Sequence, residues 1–537
     1  MIRLSQERAK VLLAVHGWSG VLLGLLLYAV ILTGVIAVFA DEIGDWSSPL
    51  EQETVAPFPV GLDAKLRELA TTVDPKYHED LSIFPRAGGR IEAFFHHHIT
   101  PEGASQPEDF GVEFKLHPQT LEVLDRREGF GEDIGAFNVS NALADFLVEL
   151  HVSLHIPDPW GLLVTGMLGL AMMVAAVTGL LVHRHLIKEM FTIRKFREAM
   201  LVRRDAHVIA ATWNLPFAFI LAFTGSFFSF ASSMGIPAMA MVAFGGDQVK
   251  LIETIVGMPP VENTAAAPIG NLDAMFADAR QRAKMEPAFA SISHFGRADA
   301  QVTVFTRPAD GELISHNYVY DGPTGAFVRE KPGLGLVPSV GGAAADLMGP
   351  LHFGNFAGLL SKAVWFALGF ASCYVALTGM LLWTARRAES PAWRRMERAV
   401  IWVGFGLPLS LALVPWGYFI GRSRGAMELE APMAIAFIAT ALATGLLTIL
   451  VSEPERLRRF LLAGTGVALI GAPGLRLIAD GPGWMSALSA HLSTVPALDV
   501  ALLLGGVLCL RAAWGRSRVV VPAAQDGDAE EGEVAAS

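Results

Sequence analysis

The sequence predicts a mainly α-helical membrane protein with a duplicated four-helix transmembrane core, two outside α+β modules and about four additional C-terminal transmembrane helices. Of its 537 residues, 52% are hydrophobic, and its mean hydropathy is +0.44, which is too apolar for an ordinary soluble protein. Several stretches of about 18 residues or more carry almost no charge and are long enough to span a bilayer. The duplication is visible in Leu150-His151 and Leu351-His352, each followed by an apolar helix.

The apolar runs and the loops between them divide the chain into segments. The first run is too long for the apolar core of a cleavable signal peptide, so it is interpreted as an uncleaved helix. The predicted segments are transmembrane helix 1 at 10–40, an outside module at 41–158, helix 2 at 159–185, helix 3 at 206–230, a second outside module at 231–350, helix 4 at 351–385, a C-terminal helical membrane region at 396–515 and a disordered acidic tail at 520–537.

The charge distribution predicts the orientation. Seven Arg and Lys residues lie in the short loop between helices 2 and 3, whereas the long loops contain most of the acidic residues. By the positive-inside rule, the N-terminus and the short loops are cytoplasmic and the long loops are outside. The two cysteines, Cys373 and Cys509, lie in apolar spans, which excludes a disulfide framework, a cysteine-ligated iron–sulfur cluster and covalent CxxCH haem attachment.

The two long loops resemble each other. Each begins with a helical stretch, at Leu62-Asp63-Ala64 in the first and Leu272-Asp273-Ala274 in the second, followed by three strand-like stretches. The stretches are 81–85, 90–99 and 112–124 in the first loop and 290–295, 300–307 and 313–328 in the second. The repeat unit is therefore helix, outside module, helix. Because both first helices run outward, the two copies form a parallel repeat about an axis along the membrane normal.

Four histidines occupy matching depths in the two copies. Ionisable side chains inside spans are costly and usually functional, and imidazole is a common axial ligand of haem iron. Related by the repeat axis, His16 and His207 are predicted to hold one haem near the cytoplasmic edge, and His151 and His352 a second haem at the outer edge. Helix rise separates the two levels by about 25 Å, which predicts an electron relay across the membrane.

Other residues leave alternatives open. His183 has the depth of His16 and could pair with either inner histidine, although it could also be an interfacial residue beside Arg184. His155 could support or replace His151. The run of residues 96–98, all histidine, is interpreted as a solvated strand face rather than a metal contact. The four Thr-Gly pairs, at 33–34, 178–179, 224–225 and 378–379, are interpreted as structural, because Thr can bond back to a carbonyl and Gly permits bending.

Several motifs are absent from the sequence. It contains no GxGxxG after a strand, no P-loop, no HExxH and no GxSxG. The chain therefore lacks recognisable NAD(P)H, flavin or ATP binding of its own. If it transfers electrons, they come from a membrane quinol or from a separate cytoplasmic reductase. No nucleic-acid partner is predicted, and the surroundings of the spans are membrane lipid.

At this point the motifs resemble a known family. His16-Gly17-Trp18 with Thr33-Gly34, the two Leu-His elements, TGLLVHRH at 178–185 and LHFGNFAGL at 351–359 look like the PepSY-associated transmembrane family, over about residues 10–390. Members include bacterial inner-membrane ferrisiderophore reductases. The resemblance implies two periplasmic PepSY-like modules and a protein with two b-type haems that passes electrons outward to a ferric siderophore or other ferric chelate. It implies axial ligation by the same inner and outer histidine pairs, with His183 a further candidate. The last four spans depart from the family's four-helix core.

The leading prediction is thus an enzyme, a multi-pass ferric-chelate reductase of the bacterial inner membrane. The alternative is a non-enzymatic scaffold or regulator whose PepSY-like modules bind an exported protein, with structural histidines and no haem. A third interpretation, a transporter for the chelate, draws on the parallel repeat but is weakened by the scarcity of Asp and Glu inside the spans.

Overall fold

The structure is a computed structural model. It describes residues 5–47, 57–85, 90–100, 108–131, 134, 141–182, 190–191, 199–247, 250–251, 261–306, 313, 315–333, 335, 337–426 and 428–515.

Long apolar helices dominate these residues. In chain order they are α1 Gln6–Leu22, α2 Gly24–Ala37, α3 Ala40–Ser47, α4 Leu62–Ala70, α5 Ala142–Val152, α6 Trp160–Val182, α7 Ala199–Phe230, α8 Ile236–Phe244, α9 Leu272–Ala283, α10 Val340–Phe353, α11 Gly358–Ala385, α12 Pro391–Ile401, α13 Leu407–Ser423, α14 Glu430–Leu450, α15 Pro454–Ile478, α16 Trp484–Ser489 and α17 Thr494–Trp514. The π-helical segments Ala231–Gly235 and Trp402–Gly406 join α7 to α8 and α12 to α13.

The number of possible spans agrees with the sequence. Within the described residues, seven helical stretches are long and apolar enough to cross a membrane, two of which continue through the π-helical segments. The helices α1 and α2 give an eighth if they are one span, with a bend of 66° between them. The chain is therefore a multi-pass membrane protein with seven candidate spans among the described residues, or eight if α1 and α2 form one span.

Eight strands, separate from these helices, form one antiparallel sheet. They are β1 Asp80–Pro85, β2 Ile91–Ile99, β3 Glu108–Leu116, β4 Val123–Phe130, β5 Pro287–Ser293, β6 Gln301–Thr306, β7 His316–Asp321 and β8 Phe327–Pro332. Their order is β4-β3-β2-β1-β5-β6-β7-β8. The central pair joins the two long loops, with Ile83 opposite Ala290. Residues of α4 and α9 share one hydrophobic core with strands from both loops.

The prediction of three strands in each loop is wrong. The third stretch of each loop folds back on itself and forms two strands. In the first loop, the N–H of His117 bonds to the carbonyl of Glu122, and the His117 ring accepts from the N–H groups of the turn. In the second, the Asp321 carboxylate accepts from the backbone N–H of Thr324. Local side-chain bonds of this kind stabilise a turn, so each stretch becomes a hairpin.

A short helix precedes a long one twice, and this arrangement positions the candidate site. Helix α5 is followed by Pro157 and Pro159 and then by α6, because proline cannot continue a helix. Helix α10 is followed by Gly354, whose φ of +65° favours glycine. Any side chain there would also meet the indole of Trp365 at 2.5 Å. Both short helices carry a histidine in their last turn, close to the break.

Candidate functional site

The structure brings the two outer histidines together. The ring centres of His151, on α5, and His352, on α10, lie 6.2 Å apart, with an interplanar angle of 23°. The Nδ1 atom of His151 is 2.9 Å from the carbonyl oxygen of Val30 and 3.5 Å from the Thr33 hydroxyl. The Nδ1 atom of His352 is 2.9 Å from the Thr224 hydroxyl. Each ring is thus held by a helix of its own half of the chain, α2 for His151 and α7 for His352.

The inner histidines are held in the same manner. The Nδ1 atom of His16, on α1, is 2.9 Å from the carbonyl oxygen of Ala175 and 3.4 Å from the Thr178 hydroxyl, both on α6. The Nδ1 atom of His207, on α7, is 3.1 Å from the Thr378 hydroxyl on α11. Both rings are half-buried. All four histidines therefore use Nδ1 to bind a threonine-bearing helix of their own half.

A glycine follows each of these threonines, and the edge of the imidazole lies against it. A Cβ atom added to the glycine would stand 2.7, 3.0, 3.2 and 3.1 Å from the histidine Cε1 atom at Gly34, Gly179, Gly225 and Gly379 respectively. Only a residue without a side chain leaves the ring this room. We call each threonine and glycine a Thr-Gly socket. The sequence interpretation of these pairs as merely structural missed the sockets, although four pairs for four histidines was a usable signal.

The sockets fix the tautomer of the rings. Each socket hydroxyl donates to the carbonyl four residues earlier in its helix, at 2.9, 2.6, 2.8 and 2.6 Å for Thr33, Thr178, Thr224 and Thr378. A hydroxyl has one proton to donate, so towards the imidazole it accepts, as the carbonyls of Val30 and Ala175 must. The proton of each neutral ring therefore lies on Nδ1, and the lone pair lies on Nε2. Metal-ligating histidines are oriented by this kind of bond.

The outer pair has a spacing suited to a metal between the two rings. Imidazole–metal bonds are about 2 Å long, and Nε2 lies about 1 Å from the ring centre, so two opposed axial ligands have ring centres about 6 Å apart. The observed 6.2 Å agrees with this value. A haem iron takes one or two protein ligands, because the porphyrin supplies four others. The outer rings therefore have the spacing that a haem between them would need, and the inner histidines are held through Nδ1 in the same way.

The remaining candidates lie elsewhere. His155 lies in the turn after α5, where its Nε2 atom is 3.1 Å from the carbonyl of Phe146 and its ring packs on the Phe146 ring at 4.4 Å. Both contacts are with Phe146 of α5, the helix that precedes His155 in the chain. His183 lies outside the described residues, so the alternative in which it pairs with an inner histidine stays a prediction.

The three adjacent histidines of β2 differ from one another in environment. His96 is 5% exposed and therefore not solvated. His98 is half-exposed, with Nδ1 2.7 Å from Asp109 and Nε2 3.1 Å from Asp80. Hydrogen bonds to Asp109 and then Asp80 raise the pKa of His98 to about 10. Among the described residues, no group of three or more His, Cys, Asp or Glu side chains is arranged to hold a metal ion alone.

The fold and the four held imidazoles define a multi-pass membrane protein with a separate antiparallel sheet and a pair of adjacent histidine rings. The model of the family described as the PepSY-associated TM region matches residues 13–386. The chain belongs to this family, as its motifs predicted. It is also similar to an uncharacterized protein of Pseudomonas aeruginosa, with 27% identity over 403 residues that cover 71% of this chain and 96% of the relative. The helices from α12 onward lie beyond the family match.

Proposed function

We propose that this protein is a transmembrane electron-transfer oxidoreductase with two haem b groups that reduces a ferric siderophore or similar ferric chelate in the periplasm. The observation that carries the proposal is the set of four imidazoles, each bonded through Nδ1 to its own Thr-Gly socket. Haem is bound by neutral histidine, and a bond at Nδ1 is compatible with ligation of the iron through Nε2. The spacing of the outer pair supports the same assignment.

The duplicated core is part of the proposal. In the first half, His16 binds the socket of α6 and His151 binds the socket of α2. In the second half, His207 binds the socket of α11 and His352 binds the socket of α7. Each half thus has two histidines that bind two sockets, and the two sockets lie on different helices. The strand order, with β1–β4 and β5–β8 on either side of a central β1–β5 pair, supports two PepSY-like modules related by the same axis.

In this mechanism the protein supplies ligands, orientation and environment. Bound haem supplies reversible one-electron exchange at its iron. The Nε2 atoms of His16 and His207 would hold the inner haem, and those of His151 and His352 the outer haem. The Nδ1–H bonds to the sockets hold each ring at a fixed angle and raise its basicity. The apolar helices keep water from the ligands, which favours a defined reduction potential.

The direction of transfer follows from the proposed orientation. The arginines that follow α11, at positions 386, 387, 394 and 395, mark one end of the helices as cytoplasmic. The sheet then lies in the periplasm of a bacterial inner membrane. A quinol or a separate cytoplasmic reductase would donate electrons at the inner pair. At the outer end, reduction of the chelated substrate from Fe(III) to Fe(II) weakens its binding by hard oxygen ligands and releases the iron.

A visible spectrum of the purified protein from haem-replete cells tests the proposal. We expect a red protein with bis-imidazole b-type bands and two extractable haems per chain. The variant His352→Ala should lose one haem, whereas the control His117→Ala, in the hairpin between β3 and β4, should keep both. The reduced bands should be reoxidised when a ferric trihydroxamate is added. A colourless protein without extractable haem would refute the proposal and leave the scaffold as the alternative.

A further inference from the structure

The helices beyond the family match form a unit that contacts α2, α3 and α5 of the first half of the core and α11 of the second. We call residues 391–514 the C-terminal unit. The Tyr28 hydroxyl of α2 donates to the carbonyl of Gly404, at 2.9 Å, within the π-helical segment of this unit. Tyr418 and Arg422 of α13 donate to the carbonyl of Ser47, at 3.0 and 3.3 Å. These bonds attach the unit to α2 and α3, the segment that contains the Thr33–Gly34 socket.

A buried carboxylate forms the strongest of these attachments. Asp499 is fully buried, and its partner Arg476 is 1% exposed. The guanidinium of Arg476 is 2.7 Å from Oδ2 of Asp499, and Trp484 donates to the same oxygen at 2.8 Å. Trp46 of α3 donates to Oδ1 at 2.7 Å. A buried charge is tolerated only when it is paired and fully hydrogen-bonded, so the position of Asp499 also fixes that of α3.

The same unit packs against the helix of an outer ligand. His151 lies on α5. Four other residues of this helix are buried in one hydrophobic cluster with residues of the unit: Leu143, Phe146, Leu147 and Leu150. The residues of the unit in this cluster include Val414, Phe419, Met433 and Val495. Among the described buried residues of this cluster, none comes from α7 or α10, the helices that hold His352 in its socket. In this cluster the unit therefore packs against the helix of His151 and not against the helices that hold His352.

We infer that the C-terminal unit is a positioning element for the outer haem site, and that Asp499 is its main positioning residue. The unit holds α3 and α5 together, and so keeps the His151 ring against Val30, Thr33 and Gly34. This inference rests on the proposed function, because the positioned group is a proposed haem ligand. It gives the last four spans a role at the outer site, through the helices that hold His151.

The variant Trp46→Phe tests the inference with the least disturbance. Phenylalanine keeps the aromatic contact with Phe419, whose ring centre lies 5.2 Å from that of Trp46, but removes the N–H that reaches Asp499. We expect both haems to remain, with the electron paramagnetic resonance signal of the outer haem shifted and the inner signal unchanged. The variants His352→Ala and His207→Ala identify the outer and inner signals.

A second variant, Asp499→Asn, leaves Arg476 without its full charge partner and should reduce the outer haem from one per chain to a small fraction. The matched control is Asp480→Asn, an exposed residue of the same unit whose φ of +62° asparagine tolerates. If wild-type protein holds two haems and both variants keep unchanged signals, the inference is wrong while the proposed function stands. If wild-type protein holds none, the proposed function itself fails. Equal loss of both haems in Asp499→Asn, with Trp46→Phe unchanged, would also overturn the inference.

Discussion

Replacement of Gly34 by alanine perturbs a single imidazole of the outer pair. The new Cβ atom would lie 2.7 Å from Cε1 and 3.1 Å from Nδ1 of the His151 ring. Carbon atoms in contact prefer about 3.5–4.0 Å, so the ring must move by roughly 1 Å. Both its bond to Val30 and its position opposite His352 depend on the present place of the ring.

The size of this displacement decides the outcome. Metal–ligand distances in a working site hold to about 0.2 Å, so a displacement of roughly 1 Å is several times the tolerance. Overpacking a close contact lowers the free energy of unfolding by about 1–3 kcal/mol. Because alanine has a higher helix propensity than glycine, the substitution also raises it by up to about 1 kcal/mol. The fold should therefore survive, while the proposed outer haem would lose His151 as a ligand or bind it in a strained position.

Haem content and electron paramagnetic resonance of the purified variant measure this effect. We expect the outer signal of Gly34→Ala to be shifted or lost and the inner signal to be retained. Gly225→Ala, where the Cβ contact is 3.2 Å, should have a smaller effect. Gly474→Ala, with no neighbour within 4 Å, is the control. An unchanged outer signal in Gly34→Ala would show that the socket does not position the ligand.

Two other substitutions test the hydroxyl of a socket and the charge of the outside sheet. Thr224→Val removes the oxygen that accepts from Nδ1 of His352, at 2.9 Å, and an unsatisfied buried donor costs about 1–3 kcal/mol. We expect redox titration to show a shifted reduction potential of the outer haem in Thr224→Val. The control Thr465→Val, whose hydroxyl donates to a carbonyl of its own helix, should show no shift. Equal potentials in the wild type and both variants would contradict this role of Thr224. His98→Asn tests pH dependence. Because the folded-state pKa of His98 is raised from 6.5 to about 10, its stabilisation is complete below pH 6.5 and is lost as pH rises to about 10. The thermal stability of wild type should exceed that of the variant at low pH, by less than about 1 kcal/mol for this half-exposed group, and the two should converge above pH 10. A difference independent of pH would refute this assignment.

The sequence was sufficient for the features that depend on local composition and repetition. Apolar runs predicted the candidate spans, since a candidate span needs only length and the absence of charge. The spacing of His16 and His207 from the following threonines gave equivalent residues in the two copies. These are one-dimensional signals, and folding does not alter them.

Other features depend on contacts between distant segments. The socket of His151 lies on α2, more than a hundred residues earlier in the chain, and no local pattern pairs the two. The burial of His96 depends on neighbouring strands, so alternation along β2 could not reveal it. The union of the two loops in one sheet depends on the β1–β5 pair, which joins segments with no sequence signal of their own for pairing.

The histidine–socket contacts within each half give a physical reason for the repeated spacing of histidine and threonine. His16 precedes Thr33, and His207 precedes Thr224, by 17 residues, which is about 25 Å of helix rise. In the first half, His151 stands just before α6, and Thr178 lies 18 residues after the first residue of that helix, about 27 Å further on. The two histidine–socket contacts of one half can form together only if these two lengths match. The depth of each histidine is therefore set by helix geometry rather than by the loops. The same rise fixes the separation of the inner and outer histidine levels in both halves.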